Sequence, residues 1–418
     1  MKKTFDMISR RTFLTSSSAA ALTGCQIPQS IPPAQSATRG PFLLGIDMLA
    51  ERGFDLLRGR RVGLITNHTA YTSGGEMTRV AMQRALGSGL VALYGPEHGI
   101  YGHIPAGKHI ATQRDRVTGV IVHSLYGPTR KPTPQQLAGI DTLVFDVQDI
   151  GARSYTYIST MAVAMEAAAE QGKDFVVLDR PNPMGGWRVE GPSVEARWKS
   201  FVSQLPIPYV HGMTVGELAM MTAGRGWISR APRLTVVKMQ SWNRGMTWDQ
   251  TGLQWHATSP NIPHATSPLY YVATGILGGA AAVDVGIGTE NPFGYAGGIG
   301  VNAQSMLAAC HSFGMSGVGF SAYSSRGFGG VRLSIDPQAQ ADITALDVLM
   351  LEALNRLSGG RTVARMSGDK LNLFHKVYGS EALYESLRRG VPVSRLIAGW
   401  QSYVQSFRAA RQKYLMYA

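Results

Sequence analysis

Short apolar runs alternate with amphipathic segments through the first half of the 418-residue chain. The apolar runs predict strands, and segments whose apolar positions recur every three or four residues predict helices. The predicted strands are 62–66, 89–94, 119–124, 143–147 and 175–178, and the predicted helices are 76–86, 134–139 and one that runs through 161–165. Continuous apolar strands separated by helices are typical of a parallel sheet covered on both faces. We therefore predict an α/β fold for residues 41–210.

The pattern changes near residue 211, where the regular alternation ends. Thr214 and Glu217 have the spacing of a capping box and predict the start of a helix. A strand is predicted at 234–239, and a stretch rich in Gly and Pro follows from 257 to 300. Helices at 343–356 and 393–412 are then mixed with short strands near 317–321 and 330–335. Residues 211–418 are therefore expected to form a second, smaller α+β domain.

Polar side chains cluster directly after the predicted strands of the first domain. Asn67 and His68 follow the first strand, and Glu97 and His98 follow the second. Two further polar segments, 146–153 and 179–183, come at the ends of the strands 143–147 and 175–178. Because ligands bind beyond the carboxyl ends of the strands in open parallel sheets, the four segments predict one polar site at that edge.

The beginning of the chain has the composition of a targeting segment. The run SRRTFL at residues 9–14 precedes a mildly apolar stretch, which resembles a twin-arginine export signal over residues 1–24. The segment LTGC is similar to a bacterial lipobox, so Cys25 is the predicted lipidation site; the alternative is a plain signal peptide with a chance cysteine. Residues 25–40 are predicted to be a tether. We expect a lipid-anchored protein on the periplasmic side of the cell envelope.

The charge of the chain is strongly positive. The formal net charge is +13, and removal of residues 1–24, which hold four basic residues and one acidic residue, leaves +10. Such a charge favours attraction to anionic envelope polymers. Nucleic-acid binding is the competing interpretation, but the basic residues are scattered singly and form no stripe. If Cys25 carries lipid, Cys310 is the one cysteine left, and no intramolecular disulfide can form.

Seven segments occur in order along the mature chain: VGLITNHTA, YGPEHGIYG, VFDVQDIGARSYTYISTM, VLDRPNPMGG, VEGP, IPYVHGMTVGELA and SPNIPH. Together they resemble the peptidoglycan exo-β-N-acetylmuramidases of the NamZ type, from about Gly45 to the terminal RQKYLMY. The resemblance implies a Rossmann-like domain, a smaller domain and a cleft between them. It also implies removal of N-acetylmuramic acid from the non-reducing end of peptidoglycan fragments. No nucleotide cofactor is implied, and the first strand lacks the GxGxxG fingerprint.

Hydrolysis of a glycosidic bond normally needs a carboxylic acid that protonates the leaving oxygen, and a second group that acts as base or nucleophile. Glu97 is the predicted acid, because it lies at a strand end on a corner stiffened by Pro96. The alternative is a turn in which this carboxylate only binds neighbouring backbone N–H groups. His98 is either a second catalytic group or a loop histidine that orients its neighbour.

Three carboxylates are candidates for the second group. Glu190 in VEGP is preferred, followed by Asp149 after the strand 143–147 and then Glu166. Glu166 lies about ten residues beyond the polar segment. At ~1.5 Å per residue, a continuous helix would carry it away from the sheet edge.

The acidic lactyl group of the sugar calls for a cation. Arg153 and Arg180 are predicted to bind it, the alternative being salt bridges to Asp149 or Asp179. Tyr155 and Tyr157 either stack on a sugar face or pack in the core. The remaining predicted substrate-binding residues, taken from the matching segments, are Asn67, His68, Asp179, Asn182, His211 and Asn261. Asn182 stands between two prolines, and its alternative role is to form a turn.

One stretch departs from the family pattern. Where the family usually has EGTNxSxGRGTxxPF, residues 279–293 read GAAAVDVGIGTENPF, so Gly279, Ala282 and Ile287 replace a glutamate, an asparagine and an arginine. The departure predicts shifted specificity or reduced activity, with Glu290 as a candidate replacement. It also motivates a second hypothesis, a catalytically weak lipoprotein that binds muropeptides.

Two further reaction classes are disfavoured. A serine hydrolase would need a GxSxG elbow, which the sequence lacks. A metal enzyme would have to use residues such as His68, His98, His103 and Asp149, whose spacing fits no familiar zinc pattern. We therefore predict an enzyme that uses neither a metal nor a cofactor.

Overall fold

The computed structural model describes residues 40–105 and 107–418. The predicted export signal, the predicted lipidation site Cys25 and the predicted tether up to residue 39 lie outside the described residues. Residues 40–418 form one compact unit.

A seven-stranded sheet forms the larger part of this unit. Its strands are β1 (Val62–Thr66), β2 (Leu90–Gly95), β3 (Gln113–Arg114), β4 (Ile121–Ser124), β5 (Thr142–Asp146), β6 (Asp174–Leu178) and β7 (Leu234–Val237). They lie in the order β3-β4-β2-β1-β5-β6-β7, and all neighbours are parallel except β3 and β4. The predicted parallel α/β sheet is confirmed.

Five helices belong to this sheet: α1 (Gly45–Glu51), α2 (Thr78–Leu86), α3 (Pro134–Leu137), α4 (Thr156–Glu170) and α5 (Val215–Gly224). Helix α5 begins after Thr214, whose hydroxyl accepts the N–H of Glu217 while the Glu217 side chain accepts the N–H of Thr214. These two bonds satisfy free donors at the helix start and confirm the predicted capping box.

The apolar runs are continuous because both faces of the sheet are covered. Every position of β1 and β5 is buried. Leu64 and Val144 pack into a core on the side of α1, whereas Ile65 and Phe145 pack on the other side with Met161 of α4. The second of these cores continues into the rest of the chain, so it joins the larger sheet to the smaller region.

The smaller region is built on an antiparallel sheet, which confirms the predicted α+β class. Its strands are β8 (Val283–Asp284), β9 (Tyr295–Ile299), β10 (Val318–Ser325) and β11 (Phe328–Ile335), in the order β10-β11-β9-β8. Its helices are α6 (Ser267–Gly278), α7 (Ala303–Ser312), α8 (Ile343–Leu357), α9 (Arg361–Ala364), α10 (Gly368–Tyr378), α11 (Ala382–Arg389) and α12 (Ser394–Arg411).

The larger sheet extends past residue 210. Strand β7 pairs in parallel with β6, although the sequence pattern assigns 234–239 to the second region. The reason is the long connection after β6, which contains α5 and irregular loops and breaks the alternation. Among the helices that the structure describes, none is long and apolar enough to cross a membrane.

Candidate active site

The segment after β2 turns sharply at Glu97 and His98. His98 has a φ of 67° and Gly99 a φ of 74°, in the left-handed region that non-glycine residues rarely adopt. The His98 ring is held there by a 2.8 Å hydrogen bond between its Nδ1 and the carbonyl oxygen of Ile104. Both Glu97 and His98 are buried, so this corner fixes the direction of the Glu97 side chain.

Two donors hold the Glu97 carboxylate. The hydroxyl of Thr156, the first residue of α4, donates to Oε2 at 2.6 Å, and the N–H of Gly107 donates to Oε1 at 2.9 Å. The donors are 59 and 10 residues away in sequence, so Glu97 does more than close its own turn. It connects the predicted polar segment after β2 with the start of α4.

Tyrosines surround this carboxylate. Burial and the negative charge of Glu97 raise the pKa of Tyr126 to about 12. Burial likewise raises the pKa of Tyr271 to about 12, and the charges of Glu97 and Asp149 add to the effect. The hydroxyls of Tyr271 and Ser154 are 2.8 Å apart. A residue of α6 therefore meets the polar edge of the larger sheet.

Tyr155 and Tyr157 pack in the core. Their hydroxyls donate to Oγ1 and to the carbonyl oxygen of Thr258, at 2.9 and 2.6 Å. The two rings meet edge to face, with centroids 5.0 Å apart. Since both rings are buried and both hydroxyls are in use, this geometry corresponds to the packing alternative and leaves no open face for a sugar.

Asp149 is buried with one oxygen unused. Its Oδ2 accepts the N–H of Gly151 at 2.7 Å, whereas Oδ1 has no hydrogen-bond partner among the described residues. Burial raises the pKa of Asp149 to about 7. The charges of Glu97 and Asp149 both act on Tyr157 and Tyr271. These two are therefore the candidate catalytic carboxyls that the fold brings near the same tyrosines.

Buried polar atoms without a partner in the described chain concentrate at the ends of β1 and β5. They are Oγ1 of Thr66, Nδ2 of Asn67, Nδ1 of His68, Oε1 of Gln148 and Oδ1 of Asp149. The two strands are neighbours, and they lie where the strand order reverses direction. Because buried polar groups are nearly always satisfied, this concentration indicates a place for a polar ligand or ordered water.

Thr69 connects the two strand ends. Its hydroxyl donates to Oδ1 of Asn67 at 2.6 Å and accepts the N–H of Gln148 at 3.0 Å. Nε2 of His68 lies 2.6 Å from the carbonyl oxygen of Ala257, and burial lowers the pKa of His68 to about 4. The His68 ring is therefore neutral at pH 7 and occupies a fixed position at this edge.

A cavity of about 250 Å³ opens at the same edge. Gln148 and Arg180 contribute to its wall, and the stacked rings of Tyr71 and His256, with centroids 3.9 Å apart, also line it. A second, smaller cavity shares Gln148 and Arg180 and adds Asp149. Glu97 lines neither of these two cavities and is 8% exposed. The polar edge thus combines an open cavity with a more enclosed Glu97 corner.

Glu190 and Glu166 hold elements together elsewhere. Oε1 of Glu190 accepts from Arg188 at 2.6 Å, and Oε2 accepts the N–H and the hydroxyl of Thr344 in α8. Glu166 forms a 2.9 Å ion pair with Lys131 and accepts the N–H of Ser229. It lies ten residues after Thr156 in α4, a rise of ~15 Å. Neither carboxylate shares the contacts of Glu97.

Arg153 binds neither a carboxylate nor an open cavity. Its guanidinium is fully buried and donates to Ser203 Oγ and to the carbonyl oxygens of residues 192, 207, 377 and 378. Arg180 forms a two-bond ion pair, with Asp146 at 2.5 and 2.9 Å. The alternative of salt bridges to Asp149 or Asp179 is therefore wrong for both arginines, because Arg153 donates to carbonyl oxygens and Arg180 pairs with Asp146 at the end of β5. Substrate binding by the two arginines stays a prediction.

Backbone is held in place by three other predicted binding residues, which are Asp179, Asn182 and His211. Asp179 accepts the N–H of Gly216 and the hydroxyls of Thr214 and Tyr417, and so caps α5. Asn182 accepts the N–H of Met184 at 3.0 Å and donates to the carbonyl oxygen of Met213 at 3.1 Å.

His211 is fully buried, and this burial lowers its pKa to about 3. Its Nδ1 accepts the N–H of Met213 at 3.2 Å. Asn261 differs from these residues, because it is half-buried and its amide makes no hydrogen bond within the described chain. Of the four, Asn261 is the one whose side chain is free to bind a ligand.

Three residues of this site were not predicted from sequence. Thr156 and Gln148 lie in the matching segment VFDVQDIGARSYTYISTM, close to the end of β5, and that position was the available signal. Tyr271 lies in α6, more than a hundred residues later, and no spacing in the sequence links it to Glu97. Among the described residues, no group of three or more His, Cys, Asp and Glu side chains is placed to hold a metal ion.

The stretch 279–293 borders the tyrosines. The ring of Phe293 meets Tyr271 edge to face, with centroids 5.0 Å apart. Ile287 is 51% exposed, and an added Cβ at Gly279 would touch the ring of Phe374. The departure from the family pattern therefore affects an exposed position, Ile287, and a packed position, Gly279. The same segment ends at Phe293, which contacts Tyr271.

The chain is similar to known proteins over nearly all of its described length. The family descriptions "Exo-beta-N-acetylmuramidase NamZ, N-terminal" and "Exo-beta-N-acetylmuramidase NamZ, C-terminal" match residues 62–266 and 269–417. Peptidoglycan beta-N-acetylmuramidase NamZ of Bacillus subtilis is 37% identical over 392 residues, which are 92% of this chain and 93% of that protein.

Two crystal structures of DUF1343 family proteins from Bacteroides fragilis have the same fold. One is 40% identical with a TM-score of 0.84, and the other is 26% identical with a TM-score of 0.69. Each alignment covers 90% of this chain and 99% of the other. On the strength of both family matches and the extended identity, this chain belongs to the exo-β-N-acetylmuramidase NamZ family of glycoside hydrolases.

Proposed function

We propose that this protein removes N-acetylmuramic acid from the non-reducing end of peptidoglycan fragments, with Glu97 as the general acid. The observation that carries the proposal is the placement of the Glu97 carboxylate, held by Thr156 and Gly107 at the carboxyl edge of a parallel sheet. A general acid must be aligned with the scissile bond, and two donors from different segments provide that alignment. The relative from Bacillus subtilis is named for the same activity.

Asp149 is proposed as the second carboxyl group. Its free Oδ1 is available to a water molecule or a sugar carbon, and a pKa of about 7 suits a group that exchanges a proton near neutral pH. Glu190 binds Arg188 and Thr344, and Glu166 binds Lys131 and Ser229, so neither shares a contact with Glu97, which argues against these two candidates. If Asp149 acts as a base, the configuration at the anomeric carbon is inverted, and if it acts as a nucleophile, the configuration is retained.

The direct test is release of N-acetylmuramic acid from a MurNAc-GlcNAc disaccharide. We expect turnover by the wild type and a loss of about a hundredfold or more in kcat for Glu97→Gln, the size typical of a lost acid. Glu166→Gln is the matched control, because it removes a helix carboxylate outside this site. Absence of turnover by the wild type, or full activity of Glu97→Gln, would remove the proposal.

Leaving-group dependence separates the two roles. The leaving group of a 4-nitrophenyl glycoside is 4-nitrophenolate, which departs without protonation. Glu97→Gln should therefore lose much less activity on this substrate than on the disaccharide. Asp149→Asn should lose similar activity on both, since a base or nucleophile is needed for either leaving group. The opposite pattern would exchange the assignments of Glu97 and Asp149.

A second candidate function is motivated by the altered stretch 279–293. There the exposed Ile287 stands where the family pattern has an arginine, which favours a protein that binds muropeptides with little turnover. Calorimetry with the disaccharide distinguishes the two, because binding without product over hours supports the binding protein and product supports the enzyme.

We also propose that the mature protein is anchored by lipid at Cys25 after twin-arginine export. This proposal rests on the segments SRRTFL and LTGC and on the following tether sequence. The expected result is incorporation of labelled palmitate and recovery in the membrane fraction, both lost in Cys25→Ser. Lipid labelling that persists in Cys25→Ser would contradict the assignment.

A further inference from the structure

Three helices of the smaller region meet at one side chain, Asn355 of α8. Its Oδ1 accepts the hydroxyl of Thr362 at 2.7 Å and the N–H of Val363 at 3.3 Å, and both of these residues belong to α9. Its Nδ2 donates to the carbonyl oxygen of Leu387 in α11 at 3.5 Å. The end of α8, the start of α9 and the end of α11 are therefore held side by side.

Exposed arginines flank the residues that make these three bonds. Arg356 and Arg388 directly follow the bonded residues of α8 and α11, and Arg361 directly precedes those of α9. Arg365 and Arg389, at the ends of α9 and α11, are exposed as well. The basic residues are scattered in the sequence, but the contact between the helices gathers these five. We refer to the five residues as the arginine cluster.

One acidic side chain of the described chain pairs with the arginine cluster. Glu385 contacts Arg388 at 2.9 Å and Arg389 at 3.1 Å, and the two arginine side chains remain 52% and 65% exposed. The other three guanidinium groups have neither an ion-pair partner nor a hydrogen-bond partner among the described residues. The positive excess extends beyond the cluster, since residues 356–395 hold eight Lys or Arg and three Asp or Glu residues. The end of this helical region is therefore a cationic surface.

We propose that the arginine cluster is a docking surface for an anionic phospholipid membrane. Guanidinium groups bind phosphate oxygens through two parallel hydrogen bonds, and the headgroup of an anionic phospholipid presents a phosphate. Each basic residue close to such a bilayer strengthens binding by about fivefold. Several unpaired arginines in one place are therefore enough for reversible attachment, although the surface contains no apolar groove.

Helix α10 favours a lipid surface over an acidic polysaccharide as the partner. It begins four residues after α9 ends, and its Leu373 is 51% exposed, whereas the adjacent Phe374 is packed in the core. Lys370 and Lys376 lie three residues before and after Leu373, on the same helix face. A leucine between two lysines can enter the headgroup layer of a bilayer while the ammonium groups stay at the phosphates. A polymer of sugars and acidic peptides has no such layer.

Co-sedimentation of residues 40–418 with lipid vesicles tests the proposal, since these residues form one compact unit. This fragment lacks Cys25, so the result does not depend on the proposed lipid anchor. We expect binding to vesicles that contain phosphatidylglycerol and none to pure phosphatidylcholine. Binding should be lost at about 1 M salt, where the Debye length falls to about 3 Å.

The double variant Arg356→Gln/Arg361→Gln should bind the anionic vesicles about twentyfold more weakly, because it removes two charges worth about fivefold each. Arg361→Gln/Arg365→Gln also removes two unpaired guanidinium groups and should show the same loss. Arg225→Gln/Arg230→Gln is the matched control. It removes the same charge from two exposed arginines at and after the end of α5, in the larger sheet region.

Weaker binding in both cluster variants, with the control and all thermal unfolding transitions unchanged, supports the proposal. Equal weakening in the control would show that net charge alone drives binding and would overturn the docking surface. A wild type that does not distinguish anionic from neutral vesicles would overturn it as well. If the cluster variants lose binding to insoluble peptidoglycan, and vesicles are not bound, the partner is the polysaccharide and the lipid assignment is wrong.

Discussion

The hydroxyl of Thr156 and the carboxylate of Glu97 are 2.6 Å apart, and this contact joins the first turn of α4 to the corner after β2. Thr156 belongs to one strand-end segment and Glu97 to another. Their contact shows that the loops at this edge converge, as expected for neighbouring parallel strands. It also makes Thr156 a positioning residue whose removal can be measured.

Thr156→Val should lower kcat on the disaccharide about tenfold to a hundredfold, because the Glu97 carboxylate loses the donor that orients it. Thr156→Ser keeps the hydroxyl and should retain most of the activity. The control is Thr160→Val, one turn further along α4, where the hydroxyl donates to the helix carbonyl oxygen of Thr156. Equal rates for Thr156→Val and the wild type would show that this contact is dispensable.

Arg153→Met should lower the free energy of unfolding by about 3 kcal/mol or more, since four carbonyl oxygens and one hydroxyl lose their donors in a buried place. Arg153→Lys should rescue little of this loss, because an ammonium group cannot reproduce the planar arrangement of five donors. Denaturation in urea measures both values. Arg197→Lys, at an exposed ion pair, serves as the control and should change stability by less than about 1 kcal/mol.

The pH dependence of stability should differ between the wild type and Asp149→Asn. Burial raises the pKa of Asp149 from 3.8 to about 7, so the folded protein holds this proton more tightly than the unfolded chain does. The corresponding stability is complete below about pH 4 and is lost as the pH rises through 7. Asparagine resembles the protonated form. The free energy of unfolding of Asp149→Asn should therefore rise relative to that of the wild type between about pH 4 and 7, by at most about 1.4 kcal/mol per pH unit.

Asp141→Asn provides the comparison for this measurement. Asp141 is partly exposed, and its hydrogen-bonded ion pair with Arg61 lowers the pKa of Asp141 to about 2. Its contribution is present above the ordinary pKa and is lost only as the pH falls towards 2. The difference between Asp141→Asn and the wild type should thus stay constant above about pH 5. A constant difference for Asp149→Asn as well would contradict the raised pKa of Asp149.

Gly102→Ala should displace the His68 ring and reduce activity. Gly102 has a φ of 76°, and an added Cβ would lie 2.2 Å from the imidazole. Gly119→Ala separates strain from collision, because Gly119 has a similar φ of 72° and open space around it. We expect both variants to lose about 1 kcal/mol of stability from strain, and Gly102→Ala alone to lose activity. Activity in Gly102→Ala equal to that of Gly119→Ala would show that the position of His68 is unimportant.

The order of strands and helices in the larger sheet follows from local pattern. Strands β1 and β5 are apolar at every position because both faces are covered, and this pattern is visible without any tertiary information. The sequence pattern places strand β7 in the second region, and this prediction is wrong for the converse reason. Strand β7 pairs with β6, although α5 and irregular loops separate the two strands in sequence, and no periodicity in the sequence predicts this pairing.

The site could be predicted only to the level of segments. Positions after strand ends pointed to Asn67, Glu97 and Asp149, which the fold does gather at one edge. The partners of each side chain depend on direction and distance in three dimensions. Arg153 is therefore turned inward onto carbonyl oxygens, although its place in the sequence is as favourable as that of Asp149.

Asp179 has one more implication, because its buried carboxylate bonds to α5 and also to the hydroxyl of Tyr417. Residues 62–266 and 269–417 match two separate family descriptions, yet a tyrosine of the second closes the end of a strand in the first. Expressing the first stretch alone would remove the Tyr417 donor and leave the Asp179 carboxylate with only its partners from that stretch, Thr214 and Gly216 among them. The two stretches are accordingly parts of one folded unit. A chimaera between relatives would therefore have to take both stretches from the same protein.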